Sequence, residues 1–304
     1  MKTSAIIRII VFSLTIVFLS GLLIAGICYD RLSMHFTKES GGSTVGPVAI
    51  VEKESRSTGA VNVSGISELE IDWVAGHIKI LPGEETDIIR FWDDYTGKEE
   101  YLLYYEIDED TVSIQYARNL DWDSPLGITA NHVIEKNLTV QVPANWVCQS
   151  LEIDAASAAL EIHDLAIESV DIDTASGKCG FENCSFDTLD IDTASGDVVY
   201  SGSLRILNCD AASASIAAQL TNIPSRINVD SMSSNVDIAL PENAGFTANV
   251  DGLSTDLESD FAVENRNGNY VCGDGACLIN VNSLSGKLHI RKNTNPSSSN
   301  VTEP

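Results

Sequence analysis

"VDIDTASGKCGF" at residues 170–181 and "LDIDTASGDVVY" at residues 189–200 are two copies of one pattern. In each copy, apolar and acidic residues alternate, a Thr-Ala-Ser-Gly corner follows, and a second alternating stretch completes the unit. Alternation with a period of two is typical of a β-strand that buries one face. The pattern therefore predicts two short strands joined at a corner.

The unit occurs seven times, and a serine at each corner marks its register. One unit alone buries little apolar surface, but copies stacked about 4.8 Å apart would form a continuous core. The sequence therefore predicts an all-β fold, a single-domain β-solenoid of two-strand coils about 19 residues long. The corner serines, separated by 19, 19, 18, 20, 21 and 31 residues, are Ser157, Ser176, Ser195, Ser213, Ser233, Ser254 and Ser285.

A weaker copy of the unit at residues 69–80 is separated from the others by an insert at residues 84–135. Strand-like runs in and after this insert are "DIIRFW" (87–92), "YLLYYEIDEDTVSIQYA" (101–117, with "DED" as a turn) and "NLTVQVP" (137–143). We therefore expect the insert to extend the same β architecture.

The long last interval contains "YVCGDGACLINV" at residues 270–281. We interpret it as a hairpin with Gly-Asp-Gly-Ala as its loop, which would set Cys272 opposite Cys277. Residues that flank such a loop have a Cα spacing suitable for a disulfide. Cys272–Cys277 is therefore the predicted disulfide.

The N-terminus predicts a membrane anchor. After a short segment at residues 1–8, residues 9–28 contain no charged residue, and 20 helical residues span about 30 Å, the thickness of the bilayer core. A cleaved signal peptide is the alternative. Residues 29–60 are interpreted as a flexible spacer, residues 61–291 as the repeat domain and residues 292–304 as a disordered tail. We expect a single-pass protein of the cell membrane with an extracytoplasmic repeat domain.

The net charge of −26 argues against nucleic acid as a partner, because such a field repels phosphate backbones. The acidic residues also form the sharpest candidate site, a column of one aspartate per coil. Calcium would fit stacked carboxylates. Alternatively, each aspartate accepts hydrogen bonds within its own corner, as in an Asx turn. The calcium candidates are Asp154, Asp173, Asp192, Asp210, Asp230 and Asp251; no other metal or cofactor is expected.

No catalytic residue is predicted. None of the five histidines falls in the repeated corner, and a serine that recurs in every corner is interpreted as structural. Gly177, Gly196 and Gly286 are predicted to supply a positive φ there. The aromatic residues of the first half of the domain indicate either an exposed glycan-binding patch or half-buried strands; they are Trp73, Phe91, Trp92, Tyr101, Tyr104, Tyr105 and Trp122.

"NLTVQVP", then repeated "LxIDTASGxVxI", then "GDGxxxINVxSLSGKLHI" resembles the bacterial putative-adhesin family, a domain of unknown function built from β-strand repeats. The resemblance covers roughly residues 60–291. It implies a β-solenoid, an N-terminal membrane anchor and an exported repeat domain with a surface or envelope-stress association. It implies no catalytic residues.

These observations predict a non-enzymatic surface protein for adhesion, cell-envelope interaction or envelope-stress signalling. Its partners would be the membrane, through the N-terminal helix, and cell-envelope polymers or a membrane protein. An envelope polysaccharide-active enzyme and a regulatory partner of a membrane sensor are the alternatives. If a binding face exists, the insert at residues 84–135 is its first candidate.

Overall fold

The structure, a computed structural model, describes residues 57–117 and 134–293. In these two ranges the chain forms fifteen β-strands and one 3₁₀ turn at Glu99–Tyr101, with no α-helix. The strands are β1 Thr58–Asn62, β2 Glu68–Gly83, β3 Ile88–Asp93, β4 Tyr104–Asp108, β5 Thr111–Gln115, β6 Lys136–Pro143, β7 Cys148–His163, β8 Ala166–Ser176, β9 Cys179–Leu220, β10 Arg226–Leu240, β11 Phe246–Asp251, β12 Ser254–Ser259, β13 Glu264–Arg266, β14 Asn269–Cys272 and β15 Cys277–Lys292.

The predicted all-β, solenoid-like fold is confirmed. Successive coils pair in parallel with like opposite like: Val170 lies against Leu189, and Asp173 against Asp192. The strands predicted in and after the insert also form, as β3, β4, β5 and β6. Within the described ranges, no helix is long and apolar enough to cross a bilayer, and the predicted anchor at residues 9–28 lies outside them.

Each coil has two arms on either side of its corner serine. We call the sheet formed by the arms before the corner the front sheet, and the sheet formed by the arms after it the back sheet. Phe186 of the front sheet contacts Phe181 and Tyr200 of the back sheet, with ring centroids 5.8 and 5.7 Å apart. The inward side chains of both sheets, including Ile167 and Leu204, therefore form one buried core.

The order of the coils in space differs from their order in the sequence at the C-terminal end. β15 pairs in parallel with β10 on one side and with β11 and β12 on the other. The last coil thus lies between two earlier ones. Charge favours this arrangement: Arg291 of β15 donates to Asp237 of β10 at 2.6 Å, and Lys287 of β15 pairs with Glu258 of β12.

The N-terminal end is interlocked in the same way. β2 is the first coil in the sequence, yet it lies between β7 on one side and β5 and β6 on the other. The outermost coil is covered in turn by antiparallel strands, β4 on β5 and β3 on β6. Both the first and the last coil are therefore held from two sides.

Glycine has two different roles at the corners. Gly177 and Gly286 have φ values of 147° and 144°, as predicted. Gly196 does not have a positive φ, so that prediction is wrong. It is constrained by space instead, because a Cβ there would lie 2.1 Å from the carbonyl oxygen of Gly177.

Gly202 allows a test of how closely the coils stack. Its φ is 146°, and a Cβ would lie 1.9 Å from the carbonyl oxygen of Cys184 in the preceding coil. We expect Gly202→Ala to lower the free energy of unfolding by at least about 2 kcal/mol, measured by denaturant titration. Gly268→Ala is the control, because Gly268 also has a positive φ but open space around its Cβ position. Equal effects of the two substitutions would contradict close stacking as the cause.

Candidate functional site: the carboxylate face of the front sheet

The solvent-facing side of the front sheet, which we call the front face, carries an array of carboxylates. Strand alternation produces it, because the residues between the buried apolar positions all point outward. None of residues 68–72, 148–155, 166–174 and 185–193 is Lys or Arg. Besides Glu168 and Asp187, which lie farther from the corner, the acidic side chains are Glu68, Glu70, Asp72, Glu152, Asp154, Asp171, Asp173, Asp190, Asp192, Asp210 and Asp230.

The parallel register stacks all of these carboxylates except Glu68 in two columns. Asp72 is in register with Asp154, and Asp154 with Asp173. Neighbouring strands are about 4.8 Å apart, so like charges lie close together along each column. The front face is therefore an electrostatically strained surface.

Asp154 shows this effect most strongly. Partial burial, followed by the charges of Asp72 and Asp173, raises the pKa of its carboxyl to about 7. Burial and neighbouring carboxylates likewise raise the pKa of Asp173 and of Asp210 to about 6. The pKa values of Glu152, Asp171 and Asp192 are raised by the same causes.

Polar neutral side chains end the acidic columns on both sides. Thr111 of β5 donates to Glu68 at 3.1 Å, and Ser113 donates to Glu70. On the other side, asparagines replace the acids of one column and form a ladder of amide hydrogen bonds. Each amide donates to a side chain of the neighbouring coil in space: Asn208 to Asp190 at 2.5 Å, Asn228 to Asn208 at 2.8 Å and Asn280 to Asn228 at 2.9 Å.

The column of calcium candidates is continuous only in part. Asp154, Asp173 and Asp192 are in successive register, but Asp230 does not lie beside Asp251 as serial stacking would require. Asn282 lies between them and donates to Asp230 at 2.6 Å, because β15 is inserted between β10 and β11. Stacking of Asp230 on Asp251 is therefore the part of the prediction that is wrong.

Calcium binding itself stays a prediction. Within residues 57–117 and 134–293, no three His, Cys, Asp or Glu side chains converge in a way that could hold a metal ion. Calorimetric titration of the full chain with Ca²⁺ separates the two interpretations. If the column binds Ca²⁺, the titration shows a saturable heat of binding and Asp173→Asn lowers the affinity. If the column is purely structural, the titration shows no heat of binding.

The hydroxyl groups at the corners support the structural interpretation of the repeated Ser and Thr. Thr174 donates to the carbonyl oxygen of Ser176 at 3.2 Å. Ser231 donates to Ser283 at 2.9 Å, and Ser283 donates to the carbonyl oxygen of Ser285 at 2.8 Å. These hydroxyls satisfy the backbone of the turn or each other.

The predicted hairpin between Cys272 and Cys277 does not form. Cys272 of β14 and Cys277 of β15 are both in register with Phe246 of β11, which lies between the two strands. Two strand spacings, about 9.6 Å, exceed the Cα separation that a disulfide can bridge. Both thiols are free, and the hairpin on which the disulfide prediction rested is wrong.

The described aromatic residues of the first half are buried or half-buried, as the half-buried interpretation predicted. Trp73 and Phe91 are fully buried, while Trp122 lies outside the described residues. Trp73 helps to enclose a group that the sequence analysis missed, the ammonium of Lys136. The Lys136 side chain is completely buried and lies 2.9 Å from the carboxylate of Asp93, which is also completely buried.

Lys136 is closely surrounded. Its Nζ also donates to the carbonyl oxygens of Tyr101, at 3.0 Å, and of Tyr116. It lies 4.0 Å from the ring centroid of Tyr116 and 4.8 Å from that of Trp73. A lysine in an otherwise ordinary strand start, "EKNLTV", gave no signal of this burial.

The raised pKa values predict an inverse dependence of stability on pH. A carboxyl with a higher pKa in the folded than in the unfolded state binds more protons when folded, so the free energy of unfolding falls as pH rises. The loss runs from roughly pH 4, near the unfolded pKa, to about pH 7, the folded pKa of Asp154. We expect the melting temperature to fall between pH 5 and 8, and Asp154→Asn to raise it at pH 8 and flatten the profile.

Asp187→Asn is the matched control for this experiment. Asp187 is exposed, and its hydrogen bond from Arg205 lowers the pKa of its carboxyl. The substitution should leave the downward slope between pH 5 and 8 in place. A melting temperature that rises over this range in the unmodified chain would contradict the strained array.

Comparison with known proteins places the chain in a family. No curated protein matches it. Two solved structures are similar at 11% identity: a "putative cell adhesion protein" from Clostridium sporogenes (TM-score 0.34, covering 78% of this chain and 99% of that one) and a "putative adhesin" from Bacteroides fragilis (TM-score 0.42, covering 79% and 98%). Similarities at this level carry no information about function.

The family model described as Toastrack DUF4097 matches residues 129–291, more than half of the chain. This match confirms the resemblance to the bacterial putative-adhesin domain that the repeated corner indicated. The chain therefore belongs to the Toastrack DUF4097 family.

Proposed function

We propose that the chain is a non-enzymatic surface protein, held at the cell membrane by residues 9–28, that acts outside the cytoplasm in adhesion, cell-envelope contact or envelope-stress signalling. Its binding surface is the front face. The observation that carries the proposal is the uninterrupted array of carboxylates on a rigid parallel sheet. Protease accessibility in intact cells tests the placement, since an internal domain would be protected.

The chemistry of the front face favours cationic partners. Carboxylates that repel one another gain from any positive charge placed over them, and an array of them attracts a polycation over several sites at once. Amine-bearing envelope polymers or the basic surface of a membrane protein are such partners. The back sheet differs, because its carboxylates at Asp237 and Glu258 already pair with Arg291 and Lys287.

The regular spacing adds specificity to this attraction. Acidic side chains repeat with the strand spacing across the sheet and every second residue along each strand, so they present charge at fixed intervals on a flat surface. Because the backbone of the sheet holds these positions, the protein loses little conformational entropy when it binds a polymer with amines at similar intervals. The proposal therefore predicts binding that is localised to the front face.

A pair of charge-neutralised variants tests the proposal. The front variant is Glu152→Gln, Asp171→Asn and Asp192→Asn; the back variant is Glu182→Gln, Asp197→Asn and Asp256→Asn. All six side chains are exposed, and both variants change the net charge equally. With immobilised poly-lysine at low salt, we expect the front variant of the full chain to bind about tenfold more weakly and the back variant about as well as the unmodified chain.

Equal weakening of both variants would show that only the net charge attracts the polymer. Absence of binding by the unmodified chain would contradict the proposal that the front face binds cationic polymers. Because the association is electrostatic, raising the salt concentration should weaken binding of the unmodified chain more than that of the front variant.

A further inference from the structure

The buried pair of Lys136 and Asp93 places an amine against a carboxyl group. Nζ lies 2.9 Å from Oδ2, and neither side chain has any exposed surface. The carboxyl carbon is one bond from Oδ2 and therefore no more than about 4.1 Å from Nζ. Two reactive groups held in contact have a very high effective concentration, provided that they stay near the geometry of attack.

Burial of the amine favours its neutral form. Aromatic rings enclose the amine, with centroids at 4.0 Å for Tyr116, 4.8 Å for Trp73 and 5.7 Å for Tyr95. Burial lowers the pKa of Lys136, an effect that its hydrogen bond with Asp93 only partly offsets. Transfer of one proton from Nζ to Oδ2 gives a neutral amine, the nucleophilic form of lysine, beside a neutral carboxyl group.

The second oxygen of Asp93 has its own donor. The backbone N–H of Tyr95 donates to Oδ1 at 3.0 Å. If the amine attacks the carboxyl carbon, negative charge develops on Oδ1, and a fixed backbone N–H is the group that stabilises such a charge. The pair therefore has a nucleophile, an electrophile and an oxyanion donor in one dry pocket.

We propose that Lys136 and Asp93 condense to an intramolecular isopeptide bond that joins β3 to β6. The bond from Nζ to the carboxyl carbon forms, and the bond from that carbon to Oδ2 breaks. Nζ gives up two protons, both go to Oδ2, and Oδ2 leaves as water. Oδ1 becomes the amide oxygen and keeps the N–H of Tyr95. The proton left on Nζ still has an acceptor in the carbonyl oxygen of Tyr101 or Tyr116. No oxidant or co-reactant is needed.

The position of the bond gives it a mechanical consequence. β1, the first described strand, pairs with β3, and β3 pairs with β6. Tension on the chain at residue 57 would load β3 for as long as β1 stays paired with it. A covalent link from β3 to β6 would keep β3 attached to β6 under that load, because hydrogen bonds would no longer be the only connection between the two strands. The inference rests on the geometry of the pair and does not depend on the front face.

Mass spectrometry of the purified full chain tests the bond. After denaturation and proteolysis, we expect most of Lys136 in a branched peptide that also contains Asp93 and is lighter than its two parts by one water. Lys136→Arg keeps the charge but removes the nucleophilic amine, and its Asp93 peptide should be linear. Lys178→Arg is the matched control, because Lys178 is exposed and its loss should leave the branched peptide unchanged.

The peptide that carries the loss of water shows whether the proposal holds. Recovery of Lys136 and Asp93 only in linear peptides of the unmodified chain would overturn the proposal, whether or not Lys136→Arg folds. The proposal is overturned as well if the intact chain is lighter by one water, Lys136 is in a linear peptide and fragmentation assigns the loss to Asp251–Gly252 or Asp274–Gly275. An aspartate before glycine can lose water by cyclising onto its own backbone. On a denaturing gel, the linked chain should also migrate differently from Lys136→Arg.

Discussion

Stacking of like on like is the constraint on which this molecule depends. Parallel register sets each side chain beside its counterpart in the next coil, about 4.8 Å away. Inside, this repetition is favourable: Ile172 against Ile191 continues an apolar column that is almost completely buried. Outside, the same register sets Asp173 against Asp192, where repetition costs free energy. The fold and its electrostatic strain have one cause.

The two sheets deal with repeated charge in different ways. On the back sheet, Asp237, Arg291 and Glu258 belong to coils in which acidic and basic positions alternate, so neighbours attract. On the front sheet the acids continue across several coils before hydroxyls and asparagines end the columns. The back sheet shows that this fold can place acidic and basic side chains next to each other. The fold therefore does not itself require the acidic array on the front sheet. This contrast is the physical reason to regard the front face as the functional one.

The interlocked ends protect the stack at the places where stacked coils are generally least stable. A terminal coil exposes unpaired backbone groups and has one neighbour instead of two, which invites fraying and association through its edge. Here the first and last coils of the sequence are both internal in space, and antiparallel strands cover the outermost coil at the N-terminal end. Lys136 and Asp93 lie within this N-terminal cover, where β3 meets β6. The buried pair thus belongs to the part of the fold that closes the stack.

The sequence by itself determined the coil: its two strands, its corner, the inward columns such as Val170 and Leu189, and the strands of the insert. Period-two alternation specifies these features locally. The tertiary structure decided which coils are neighbours, and hence that Asn282 separates Asp230 from Asp251 and that β11 separates Cys272 from Cys277. Periodicity cannot determine that order, because coils with the same apolar columns can stack on one another in any sequence. The contact between Lys136 and Asp93 could not be predicted from the sequence either, because the two residues are 43 positions apart and belong to no repeated pattern.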